Sequence, residues 1–155
     1  MLTKLAYAYY EAGAAVAAVH LKLALRQVSI NPARGATDII VPRDNPKARI
    51  TLWLAGMAAE KKGVGETDAF RRMKNRRRIA AELEEQAHPR RSRSGPDIVS
   101  QAQDRANAIC ASHFQAIRRV AERLAAVEIL SAADVEGIVA EARSHQPELP
   151  EAQEN

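Results

Sequence analysis

One cysteine in 155 residues, Cys110, is too few for an internal disulfide framework or a cysteine-based zinc site. Its place in an amphipathic segment reads as a small buried hydrophobe, and the simplest compartment for such a chain is the reducing cytoplasm. Aromatic residues are equally scarce. Trp53, Phe70, Phe114 and the clustered Tyr7, Tyr9 and Tyr10 are all there are, too few for a platform that stacks single-stranded bases. The glycines form no phosphate-cradling loop. Residues 5 to 25 approach the length of a membrane span, but Glu11, His20 and Lys22 interrupt them, and each such group costs about 2.5–3.5 kcal/mol at mid-bilayer. A buried core helix is therefore expected, with no membrane association and no signal peptide. The four histidines, His20, His88, His113 and His145, have no second histidine and no cysteine at i+3 or i+4.

Lys and Arg are plentiful, giving a net charge of +4. They concentrate in Arg71, Arg72, Lys74, Arg76, Arg77 and Arg78, and again in Arg90, Arg91 and Arg93 of the loop HPRRSRSG. The chain has the length of one domain with a real core. Residues 1–145 are expected to form it, and the Pro/Glu-rich tail 146–155 is expected to be disordered.

Along the chain, residues 3–25 read as one Ala-rich helix. Residues 26–30 and 37–41 read as short strands around the turn-forming Asn31-Pro32-Ala33-Arg34-Gly35, a hairpin. A second helix is expected over 46–62, opened by Pro46 and stopped at Gly63, and a third over 67–87. The third begins in cations and ends in Glu82, Glu84 and Glu85, the reverse of what the helix dipole favours, softened by pairing of Lys74 and Arg78 with Glu82. Apolar residues at helical spacing from Ile98 to Leu124 predict one long helix over 97–127. A last helix over 131–142 is capped by Ser131, with Asp134 at the third position of a capping box.

The segment Tyr10-Glu11-Ala12-Gly13-Ala14 has the frame of His-Glu-x-x-His with both histidines replaced. In that motif, imidazoles at i and i+4 share one helical face and hold one zinc ion, whose bound water the Glu deprotonates as general base. Here Tyr10 offers a neutral phenol and Ala14 no ligand atom. With Leu54-Ala55-Gly56-Met57-Ala58-Ala59-Glu60, the Asp68 that comes after Gly65, and Arg123-Leu124-Ala125 before Leu130-Ser131, this run resembles the peptidase domain of FtsH-like ATP-dependent zinc metalloproteases over residues 5 to 142.

The resemblance implies a mainly α, FtsH-peptidase-like helical domain with one small β-hairpin, in a stand-alone form without the ATPase module. It implies Glu11 as a vestigial general base, and Tyr10, Ala14 and Asp68 as vestigial metal positions. Read from the residues alone, Asp68 is a helix cap and Glu11 a solvated or hydrogen-bonded helix residue. The expected function is a zinc-metallopeptidase fold that has lost hydrolysis and acts as a binding or regulatory domain for a protein or peptide, with no cofactor. Two alternatives stand beside it. One is an active zinc metalloendopeptidase with an atypical ligand set. The other is a nucleic-acid binder using Arg71, Arg72, Lys74, Arg76, Arg77, Arg78, Arg90, Arg91 and Arg93 against phosphate.

Overall fold

The computed structural model describes residues 2–87 and 95–144, so the basic loop with His88, Arg90, Arg91 and Arg93, and the tail with His145, lie outside the described residues. The chain is mainly α-helical. Its elements run α1 (Leu2–His20), β1 (Ala24–Ser29), a 3-10 turn (Pro32–Arg34), β2 (Asp38–Ile40), α2 (Pro46–Val64), α3 (Ala69–Ala87), α4 (Gly95–Ser112), α5 (Phe114–Val127), β3 (Ile129–Ser131) and α6 (Ala132–Ser144).

α1 is the central element. Ala8, Ala12, Ala15, Val16, Ala17 and Ala18 are all buried, as befits a helix that is apolar around its circumference. One side packs on β1, α5 and α6 through Val28, Ile117, Val120, Leu124 and Val135. The other packs on α2 and α4 through Ile50, Leu54, Ala55, Ala102 and Ala106. Small residues set the closeness of α1 to α2: a Cβ on Gly13 would lie 2.6 Å from the Ala55 carbonyl oxygen, and one on Gly56 would lie 2.9 Å from the Tyr10 ring.

α1 is shorter than the expected 3–25. It ends at His20 in a Schellman closure, in which Lys22 takes the left-handed conformation (φ 59°) while the Leu23 N–H donates to Ala18 and the Lys22 N–H to Val19. The chain then leaves as β1. The hairpin is present, with β1 antiparallel to β2 and an irregularity between Leu25 and Gln27. A third strand joins it: β3 pairs antiparallel with β1, giving the order β2-β1-β3.

α2 runs past the expected stop at Gly63 to Val64, because Gly63 is a packing glycine whose missing Cβ makes room for the Tyr9 ring. The left-handed cap is Gly65, at φ 90°. The single helix expected over 97–127 is two, broken at His113, which opens α5 with its carbonyl accepting from the Ile117 N–H. The ring of His113 lies 4.9 Å from that of His20 at the end of α1. The Ser131–Asp134 capping box forms in both directions, at 3.2 and 3.3 Å. Among the described residues no helix is long and apolar enough to cross a membrane.

Candidate functional site

A cleft of about 460 Å³ opens between α1, α2, α3 and the hairpin. α1 supplies Tyr7, Tyr10, Glu11 and Ala14 along one seam, because residues three and four apart share a helical face. Thr37, Ile39 and Val41, in and beside β2, line the opposite wall as alternate residues of an extended chain. Among the described residues β2 pairs with β1 alone, at the edge of the sheet. α2 contributes Arg49, Leu52 and Trp53, and α3 contributes Lys74 and Arg78.

Glu11 is half-buried in this cleft. Burial pushes its carboxyl above the usual 4.5, against the opposing effects of a hydrogen bond with Thr37 and of the charges on Arg78, Lys74 and Arg71. Thr37 is itself held in place, its hydroxyl accepting from the Ser29 N–H at 3.0 Å and lying 3.2 Å from the Ser29 carbonyl oxygen, which competes with Glu11 for its one proton. Arg49 is fixed by Glu82, Nε to Oε1 at 2.6 Å. Glu82 is thus used across helices, and the expected intrahelical pairing with Lys74 and Arg78 does not form; Arg78 instead lies over the Trp53 ring, 5.7 Å from its centroid.

Tyr10 is buried, and its phenol donates a 2.9 Å hydrogen bond to Oδ1 of Asn75. Asn75, 1 % exposed, donates through Nδ2 to the Trp53 carbonyl at 3.3 Å. Burial pushes the Tyr10 phenol up to about 12. Beside it the Arg71 guanidinium lies 5.5 Å from the Tyr7 centroid and 6.0 Å from that of Tyr10. Arg71 grips Glu60 at both oxygens, 2.7 and 3.1 Å, and Glu60 is wholly buried. Oε1 of Glu60 also accepts from the Asp68 N–H at 2.8 Å. This network joins the end of α2, the start of α3 and the wall of the cleft.

Tyr10, Glu11 and Ala14 therefore share one cleft, while Asp68 lies elsewhere, in a separate hollow with Lys61, Glu66 and Arg72. Oδ1 of Asp68 accepts from the Arg71 N–H at 2.9 Å, three residues on, which is the geometry of a helix cap. A phenol committed to an amide, an alanine and a capping aspartate outside the cleft do not fit a tetrahedral zinc site of nitrogen, sulfur and carboxylate ligands. Among the described residues no group of three His, Cys, Asp or Glu converges.

The cations of α3 are not gathered on one side. Arg71 turns in to Glu60, Lys74 and Arg78 face the cleft, Arg72 borders the hollow between α2 and α4, and Arg76 and Arg77 are exposed. The residues that shape the site and escape sequence reasoning are Asn75, Glu60, Thr37, Arg49 and Trp53. Asn75 carries the one visible signal, a neutral amide in the middle of a cationic run.

No family model matches the chain, and no curated protein matches it.

Proposed function

We propose that this chain is a peptidase-like domain, similar in plan to the FtsH-type zinc peptidases, that holds an extended peptide segment without hydrolysing it. The observation that carries the reading is the pairing of an open strand edge with a polar-floored cleft. Among the described residues β2 has an unpaired side, and Thr37, Ile39 and Val41 line the cleft at alternate positions opposite Glu11, Lys74 and Arg78. A peptide added to a strand edge gains backbone hydrogen bonds from the edge and side-chain selectivity from pockets at every second residue. Loss of hydrolysis is a consequence of the donor atoms, since Glu11 has no metal-bound water to deprotonate where Tyr10 and Ala14 stand in for histidines. Glu11 then serves as a hydrogen-bonding group on the cleft wall.

The test is titration of the protein with a panel of unstructured peptides, combined with amide hydrogen exchange and with mass analysis of the peptides after long incubation. Slowed exchange over residues 37–41 with intact peptides is the expected result. Cleaved peptides, or no protection of 37–41 by any peptide, would overturn the reading.

A further inference from the structure

α3 carries its charge against its own dipole, with cations from Arg71 to Arg78 and acids at Glu82, Glu84 and Glu85. Contacts within the chain account for part of this: Arg71 binds Glu60 and Glu82 binds Arg49. Lys74, Arg77, Glu84 and Glu85 are exposed, and among the described residues none of the four makes an ion pair at contact distance. They share one side of the helix with Phe70, 66 % exposed, Met73, 43 % exposed, and the exposed Ala80 and Ala81, and Lys74 stands at the border between this side and the cleft. Phe70, Met73, Lys74, Arg77, Arg78 and Ala81 line a shallow groove along this side.

We propose that this face pairs with a second copy of the chain, α3 lying antiparallel to α3 across a twofold axis near Ala80. A twofold interface must be complementary to itself. In an antiparallel pair, residues meet when they lie on the same flank of the helix at equal distances either side of the axis. Arg77 and Glu84 are seven positions apart and Lys74 and Glu85 eleven, so at about 100° per residue each pair lies within about 20° around the helix. Both pairs are centred close to Ala80. The axis therefore sets Arg77 against Glu84 and Lys74 against Glu85 of the copy, each twice. Ala80 and Ala81 provide small side chains where the helices cross, and Met73 reaches toward the last turn of the other helix. Parallel pairing would set like charges together. An acidic partner of another kind would use only the cationic half and leave Ala80, Glu84 and Glu85 without a role. The reversed charge order is unfavourable for a lone helix and becomes favourable in this pair.

A single helix pair buries less than the roughly 1,200–2,000 Å² of a standard interface, so the dimer is weak and concentration-dependent. Sedimentation velocity over a concentration series is the test, with two variants, Glu84→Lys with Glu85→Lys and Lys74→Glu with Arg77→Glu. The wild-type chain is expected to shift from monomer toward dimer with concentration and back toward monomer in high salt. Each variant, with unchanged far-UV circular dichroism, is expected to remain monomeric over the same range, and an equimolar mixture of the two to recover the dimer. A wild-type chain that is monomeric at every concentration overturns the proposal. So do variants that self-associate like the wild type, or a mixture that stays monomeric.

Discussion

The phenol of Tyr10 donates a 2.9 Å hydrogen bond to Oδ1 of Asn75, joining α1 to α3 at a position where both side chains are buried. The bond gives the phenol a structural task at the site where the FtsH resemblance places a metal ligand. Removing the hydroxyl leaves the Asn75 oxygen buried without this donor, so Tyr10→Phe is expected to cost about 1–3 kcal/mol in chemical denaturation. The same phenol sets an alkaline limit. Its folded pKa of about 12 lies above the ordinary 10.0, so its contribution is fully present below pH 10.0 and is lost as pH rises toward 12. That loss, about 2–3 kcal/mol, is expected in the wild type and missing from Tyr10→Phe when the two stability profiles are subtracted.

Arg71→Met is expected to be the more damaging change. Glu60 is wholly buried and Arg71 holds both its oxygens, so the variant strands a charge with the Asp68 N–H as its one remaining hydrogen-bond donor among the described residues. Breaking such a pair from one side costs about 3–5 kcal/mol. Denaturant unfolding measures the loss, and adding Glu60→Gln to Arg71→Met is expected to recover part of it.

Glu11→Gln is expected to stabilise the chain at neutral pH. Burial raises the Glu11 carboxyl above its ordinary 4.5, so its contribution to stability is fully present below about pH 4.5 and lost as pH rises through the folded value. The neutral amide escapes that loss. Thermal melts across pH should show the variant ahead at pH 7 and the difference closing on acidification below pH 4.5. A carboxylate held at a cost to stability on the wall of a cleft fits a group retained for binding.

The features legible in the sequence are those with local chemical signals. The turn at Asn31-Pro32 marks the hairpin, Pro46 opens α2, and Ser131 with Asp134 marks the start of α6. Helix ends are hidden where left-handed caps are not glycine. Lys22 and Glu128 both take positive φ, so the sequence puts the end of α1 five residues too far along, at 25 and not at His20, and leaves β3 unmarked. Glu128 is held in that conformation by contacts with the distant hairpin: its carbonyl accepts from the Ile30 N–H and its carboxylate from Asn31 Nδ2. The break at His113 has no glycine or proline to announce it. In the site, Tyr10, Glu11 and Ala14 are legible together because they are near in sequence, whereas Asn75 is 65 residues from Tyr10 and Glu60 is 11 from Arg71, contacts that only packing creates.

The most direct measurement is the zinc content of the purified chain after dialysis against trace zinc, made beside that of Tyr10→His with Ala14→His. The account predicts far less than one zinc per wild-type chain, because Tyr10 is bound to Asn75, Ala14 has no ligand atom and Asp68 is engaged as a cap outside the cleft. It predicts a gain of zinc in the double variant, where two imidazoles four residues apart face the cleft beside Glu11. One zinc per wild-type chain would contradict it.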